Sequence, residues 1–106
     1  MFQPRRKPVV CEDGFTMSVQ ASEYHYCSPR RSGLGESYTS VEVGFPSEKE
    51  DLLMEHAEDY DKPTGTVYPY VPVEVVLQVI MKHGGMVEGD TPNFDLSTLK
   101  GNNEEE

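Results

Sequence analysis

A histidine and a cysteine two residues apart have the side chains that could bind a metal ion together. His25 and Cys27 occur in the stretch EYHYCSPRR, and Cys11 precedes them. Imidazole nitrogen and thiolate sulfur are common ligands of Zn²⁺. In an extended segment, side chains two apart lie on one face, and a neighbouring strand would place Cys11 opposite them. One hypothesis is therefore a small zinc-stabilised domain that uses Cys11, His25 and Cys27.

The same residues have simpler interpretations. Zinc knuckles usually present two pairs of ligands, whereas only one such pair occurs here, with His56 or His83 as candidates for the fourth ligand. Cys11 and Cys27 could form a disulfide if they lie on neighbouring strands. In a reducing cytoplasm they would instead remain free, buried thiols. We expect free thiols and no cofactor, with zinc as the alternative.

Catalysis by Cys27 with His25 as its base would need an orienting group and an oxyanion donor. The sequence identifies neither of them. His83 lies near the end of a predicted helix, where we expect it to interact with exposed carbonyl groups. We therefore predict that the protein is not an enzyme. The alternative is a small enzyme whose unrecognised site combines His25 or His83 with an acid.

The charge is strongly negative and unevenly distributed. The chain has a formal net charge of -10 and a pI near 4.6, and residues 36–61 carry nine acids but only one basic residue, Lys49. This balance excludes a general affinity for nucleic acid, which requires a basic face. A protein partner with a basic surface fits better. The carboxylates that we expect to contact it are Glu48, Glu50, Asp51, Glu55, Glu58 and Asp59.

Those carboxylates also have an ordinary interpretation as a solvated helix face. However, like charges packed on one short helix repel one another and reduce its stability. The presence of so many carboxylates despite this cost favours a binding role, in which they could imitate the charges of a phosphate backbone. Arg30 and Arg31 lie in the Ser-, Gly- and Pro-rich loop at 27–37, and we expect them to contact an anionic group of a partner.

Alternation of apolar and polar residues predicts the strands. The segments 15–21 and 38–45 alternate. The residues expected to face inward are Phe15, Met17, Val19 and Ala21 in the first segment and Val41, Val43 and Phe45 in the second. Residues 8–10 are expected to form a short strand, joined to the strand at 15–21 by a turn at 12–14. The segment 66–71 is an edge strand because Pro69 cannot donate a ladder hydrogen bond, and Met86 and Val87 form a last short strand.

Two helices are predicted. Ser47 and Glu50 match a capping box that begins a short acidic helix over 48–60. Pro72 at the start and Gly84 at the end delimit a second helix over 72–83. Its polar residues form one narrow stripe, so it must be buried on most sides, within the fold or against a second copy of the chain.

These elements predict an α+β fold, with an antiparallel sheet of three to five strands packed with one buried helix (72–83) and one acidic helix (48–60). Residues 1–106 form a single domain with flexible tails at 1–8 and 97–106. No apolar run is long enough to span a membrane, so we expect a cytoplasmic protein. A homo-oligomer would form through the apolar helix or the edge VYPYVP.

The leading hypothesis is a small non-enzymatic protein that binds another protein. Its acidic helix would face a basic surface of the partner. The absence of a recognised catalytic set and the uneven charge support this class of function. An accessory factor or inhibitor encoded by a virus that infects bacteria would fit the small size and the acidity.

Overall fold

The computed structural model describes residues 6–31 and 36–96. Its five strands form one sheet in the order β4-β3-β2-β1-β5, and every neighbouring pair is antiparallel. The strands are β1 (Val9–Cys11), β2 (Thr16–Gln20), β3 (Ser40–Gly44), β4 (Val67–Pro72) and β5 (Met86–Glu88). With the α-helix α1 (Val73–Lys82) and a 3-10 helix (Asp51–His56), the predicted α+β fold is confirmed.

The hairpin of β1 and β2 forms as the sequence predicts. The Cys11 amide donates to the Phe15 carbonyl at 2.8 Å, and the Gly14 amide donates to the Cys11 carbonyl at 2.9 Å. Gly14 has φ of +96°, a backbone conformation that glycine adopts without steric cost. Phe15, Met17, Val19 and Ala21 are buried, which confirms the inward face of β2.

Strand β3 departs from the prediction at its end. Val41 and Val43 are fully buried, but Phe45 is 52% exposed. The backbone at Phe45 has φ of +49°, which ends the alternation of the strand and turns this side chain away from the core. The prediction that Phe45 faces inward is wrong for this reason.

Strand β4 lies at an edge, as predicted, but its outer side is already used by the chain itself. The Tyr70 amide donates to the Tyr26 carbonyl at 3.1 Å, and the Val67 carbonyl accepts from the Glu58 amide at 3.0 Å. A bulge in the β3–β4 pairing accompanies φ of +53° at Tyr70. The bulge and these hydrogen bonds leave less of the β4 edge available for another strand.

Helix α1 confirms the predicted helix over 72–83 to within a residue at each end. Pro72 precedes its first residue, and His83 is its C-cap. The Gly84 amide donates to Met81 and the Gly85 amide donates to Ile80, at 3.1 and 2.9 Å, which is the Schellman arrangement for ending a helix. The helix connects β4 to β5, at opposite edges of the sheet.

The sheet and helix enclose one core. Leu53 is the buried residue of the 3-10 helix. The fully buried apolar residues of the other elements include Val9, Val19, Val41, Val43, Tyr68, Val71, Val76 and Val79. Helix α1 is less enclosed than predicted, because Met81 is 75% exposed.

The predicted acidic helix over 48–60 is too long. Only Asp51–His56 are helical, and the helix is of the tighter 3-10 type. Ser47 does not cap it, because its hydroxyl accepts from the Thr16 amide at 3.0 Å. The cap is Glu50, whose Oε2 accepts from the Leu52 amide at 3.0 Å. The predicted capping box is therefore wrong.

Part of the predicted N-terminal tail belongs to the folded body. Arg6 Nη1 donates to the Ala21 carbonyl at 3.0 Å, and the Lys7 amide donates to Asp90 Oδ2 at 3.3 Å. The rest of the predicted N-terminal tail, residues 1–5, and the predicted C-terminal tail, residues 97–106, lie outside the described residues. Across the described ranges, no helix has the length and apolar character needed to span a membrane.

Leu53 should be the main apolar anchor of the 3-10 helix. We expect Leu53→Ala to lower the free energy of unfolding by about 2–5 kcal/mol, because a fully buried side chain is lost. The matched control Leu52→Ala, at a 37% exposed residue, should change it by about 0.5 kcal/mol or less. Denaturant unfolding measures both, and equal effects would contradict this packing.

Candidate functional site

The structure separates Cys11 from the other two predicted zinc ligands, His25 and Cys27, which both contact Ser22. Cys11 lies beside Phe15, before β2 begins, whereas Cys27 Sγ contacts the Ser22 carbonyl at 3.2 Å, after β2 ends. An extended chain rises about 3.3 Å per residue, so Phe15 and Ser22 are roughly 20 Å apart along the strand. The two cysteines therefore do not share a site.

His25 does not extend a strand toward Cys27. Residues 23–26 form turns and bends, and the His25 amide donates to the Ser22 carbonyl at 3.2 Å. Its Nδ1 lies 2.7 Å from the Ser22 hydroxyl. Within residues 6–31 and 36–96, no group of three or more His, Cys, Asp or Glu side chains has an arrangement that could hold a metal ion.

Both cysteines are free and buried, so the disulfide alternative is not formed in this structure. Burial raises the pKa of the Cys11 thiol, and the charge of Asp13 raises it further. Burial also raises the pKa of Cys27, although the Ser22 backbone and nearby arginines act in the opposite direction. Neither thiol has the lowered pKa of a reactive nucleophile.

Arg30 and Arg31 lie near the opposite end of β3 from the acidic residues. Ser28, close to both arginines, bridges to Ser40 at the start of β3, whereas residues 48–61 follow the end of that strand. Arg30 lies 5.4 Å from the centre of the exposed Tyr26 ring. Arg31 Nε is 3.6 Å from Glu36 Oε1. These contacts of the two arginines are with residues outside 48–61.

The most densely connected group of charges surrounds His83. Its Nε2 lies 2.7 Å from Glu50 Oε1, and its Nδ1 lies 2.7 Å from Asp13 Oδ2. Glu50 Oε2 in turn accepts from Lys82 Nζ at 2.8 Å. We call Asp13, Glu50, Lys82 and His83 the charged cluster. It joins the β1–β2 turn, the 3-10 helix and the end of α1.

Backbone hydrogen bonds fix the position of the histidine. The Schellman ending of α1 leaves the carbonyls of His83 and Gly85 free to accept from the amides of Asp13 and Glu12, at 3.2 and 2.9 Å. The imidazole stacks on the Phe15 ring, with 4.1 Å between ring centres and 12° between planes. The β1–β2 turn is thereby held against the end of the helix.

The charge states of the cluster support one another. Burial alone would lower the pKa of His83, but its hydrogen bonds to Glu50 and Asp13 outweigh this effect and raise the pKa. Burial alone would raise the pKa of Glu50, but hydrogen bonds from Lys82, the Leu52 amide and His83 lower it. These pKa shifts favour an imidazolium and an ammonium facing two carboxylates.

This arrangement pairs a histidine with acids, as the enzyme alternative required, yet it is poorly suited to proton transfer with a substrate. His83 is only 7% exposed, and each of its ring nitrogens is already hydrogen-bonded to a carboxylate. A general base needs a nitrogen within reach of the substrate proton. The geometry is that of a structural ion pair network.

The acidic segment, which we define as residues 48–61, contains Glu50 of the charged cluster. Glu50 is only 2% exposed, so the prediction that it lies on the outer face is wrong. The exposed carboxylates of the segment are Glu48, Asp51, Glu55, Glu58, Asp59 and Asp61. The hydrogen bond from Lys82 to Glu50 raises the pKa of Lys82, and the charges of Asp51 and Glu48 add to this effect.

No pattern in the sequence indicates that Asp13, Glu50 and His83 meet. Asp13 and His83 are 70 residues apart, and Glu50 and His83 are 33 apart. The available signals were only an aspartate in a predicted turn and a histidine at a predicted helix end. Their contact depends on α1 ending beside the β1–β2 turn, which follows from the tertiary fold.

Comparisons with known proteins return no relative. No family model, no curated protein and no solved structure matches the chain.

Stability should depend on pH through the charged cluster. The pKa of His83 is raised on folding, so its contribution is complete below its unfolded pKa of about 6.5 and is lost as pH rises through the folded pKa. The pKa values of Glu50 and Asp13 are lowered, so their contributions are lost in acid. We expect the free energy of unfolding to decline on both sides of a maximum at mildly acidic pH.

Denaturant unfolding at a series of pH values measures this dependence. The difference between the wild type and His83→Gln should be greatest between about pH 4.5 and 6.5 and should shrink at higher pH. His56→Gln is a matched control, since its ring lies 3.6 Å from the exposed Glu55 instead of between two carboxylates. A constant difference across pH would contradict the charge states described above.

The thiols should react only when the protein opens. Cys11 and Cys27 are each 1% exposed, so a thiol reagent such as DTNB should label the native protein slowly and label two thiols rapidly in denaturant. Protein purified without reductant is the appropriate sample. Failure to detect two thiols after unfolding would indicate a disulfide instead.

Proposed function

We propose that this protein acts without catalysis, by binding a basic surface of another protein through the acidic segment. The observation that carries the proposal is the anchoring of six exposed carboxylates on a short, tightly held stretch. Ser47 pairs with Thr16, Leu53 enters the core, and the Glu58 amide bonds to Val67. An array of charges on such a support is organised before a partner arrives.

Electrostatics favours a basic protein as the partner. The exposed carboxylates repel one another, and a positive surface would relieve this repulsion while guiding association. Lys82 cannot neutralise the segment fully, because its ammonium group is already bonded to the buried Glu50. The net charge of -10 opposes binding to nucleic acid as a general activity.

An accessory factor or inhibitor is the role that we propose within this class. Such a protein would cover a basic site that otherwise binds an anionic ligand, and its carboxylates would take the place of that ligand's charges. The viral source, the cytoplasmic location and self-association through α1 stay predictions from the sequence. Self-association through β4 also stays a prediction. The hydrogen bonds on the outer edge of β4 leave fewer of its backbone groups available to pair with a second copy of the chain.

Charge reversal within the acidic segment should weaken binding. We would capture partners from cells of the source with the intact chain, identify them by mass spectrometry, and measure binding of the purified partner by calorimetry. Asp51→Lys with Glu55→Lys should weaken binding by about tenfold or more, since several exposed charge pairs are lost. Raising the salt concentration should weaken the wild-type complex as well.

The matched control is Glu74→Lys with Glu88→Lys, which makes the same change in net charge on α1 and β5. This pair should retain most of the affinity if the acidic segment is the contact surface. Equal losses for both pairs would show a dependence on net charge alone. Binding that is insensitive to salt would overturn the proposed electrostatic interface.

A further inference from the structure

The contacts of His83 require two protons on one imidazole ring. An ionised carboxylate only accepts hydrogen bonds, and the ring nitrogens face Glu50 and Asp13 at 2.7 Å each. Neutral imidazole carries a single N–H, so its second nitrogen would direct a lone pair toward a carboxylate oxygen. Both contacts can persist only while the ring is protonated.

Loss of a proton from the His83 ring affects Glu50 and Asp13 differently, because the two carboxylates differ in exposure. The Glu50 side chain is 2% exposed, whereas the Asp13 side chain is 50% exposed. Water can replace the histidine as a partner of Asp13, but loss of an N–H donor from the buried Glu50 would leave part of its carboxylate without compensation. The remaining proton should therefore stay on Nε2, facing Glu50.

We infer that His83 is a proton-controlled latch, which in its protonated form holds the β1–β2 turn through Asp13 and on losing one proton releases Asp13 while keeping Glu50. Protonation thus sets whether the turn is joined to the end of α1 by a charged side-chain contact. The backbone bonds from Asp13 to His83 and from Glu12 to Gly85 remain in both states.

The charges around the latch come from each element packed on the ring. Asp13 belongs to the turn, Glu50 begins the 3-10 helix, and Lys82 precedes His83 on α1. The charges of Glu48 and Asp51 act on Lys82, the neighbour of His83 on α1. Phe15 supplies the stacked, uncharged face. Glu12 lies beside Gly84, where an added Cβ would come within 2.8 Å of the Glu12 Cβ.

Release of the proton also changes the charge beside the acidic segment. The cluster carries two negative and two positive charges when His83 is protonated, and it is left with one net negative charge afterwards. Binding of a basic partner would then strengthen as pH rises, a consequence that rests on the proposed function. The test below uses the protein alone, so its outcome does not depend on that proposal.

Nuclear magnetic resonance of the intact chain can observe both contacts of the latch, from His83 to Asp13 and from His83 to Glu50. The Phe15 amide donates to Asp13 Oδ1 and the Leu52 amide donates to Glu50 Oε2, each at 3.0 Å. We would follow these amides and the ring nitrogens of His83 from pH 5 to 10. Below the transition both ring nitrogens should carry protons, and above it Nδ1 alone should lose its proton.

The midpoint for His83 should lie above the ordinary value of about 6.5. Across that transition the protection of the Phe15 amide against hydrogen exchange, corrected for intrinsic rates, should fall about tenfold. The Leu52 amide should keep its protection. Equal loss at both amides, loss at Leu52 alone, or loss of the proton from Nε2 would overturn the inference.

Asp13→Asn provides a second variant that should fold, since Asp13 is half exposed in a turn. It should lower the midpoint of His83 and remove the pH dependence of the Phe15 amide, while Leu52 stays protected. Glu12→Gln is the matched control in the same turn and should leave both amides unchanged. An unaltered His83 midpoint in Asp13→Asn would contradict the latch.

Discussion

The tertiary structure depends most directly on a buried histidine side chain that contacts two carboxylates. One ring nitrogen of His83 contacts Asp13 and the other contacts Glu50. This single side chain therefore connects the first hairpin, the 3-10 helix and the end of α1. Burying charges is costly unless each one is paired and hydrogen-bonded. Here Lys82 supplies the fourth charge, and the described side chains leave no buried polar atom unpaired.

This cluster explains how a short acidic stretch stays ordered. A segment rich in like charges has little tendency to form a helix alone. Glu50 turns one of those charges inward, caps the 3-10 helix, and bonds to two cations. The neighbouring Leu53 adds burial in the core. The remaining carboxylates are thereby held at the surface, where they can interact with a partner.

The structure treats the two candidate sites of the sequence differently, namely the predicted zinc ligands and the acidic segment. The histidine and cysteines around residue 25 do not form a joint site, because the chain turns at 23–26 and the thiols lie beyond opposite ends of β2. The acidic segment remains a candidate interface, with Glu50 moved from its surface to its anchor. The exposure of most of these carboxylates follows from their charge, since an exposed charge needs no particular partner within the fold.

The sequence by itself determined the local elements. Alternation fixed the inner face of β2, and Pro72 with Gly84 marked the limits of α1, because these signals act within a few neighbouring residues. Only the tertiary structure decided that Phe45 turns outward, that the acidic helix is a short 3-10 helix, and that Glu50 is buried. Each of these outcomes depends on contacts between distant segments, and local pattern contains no information about which buried charge will meet which partner.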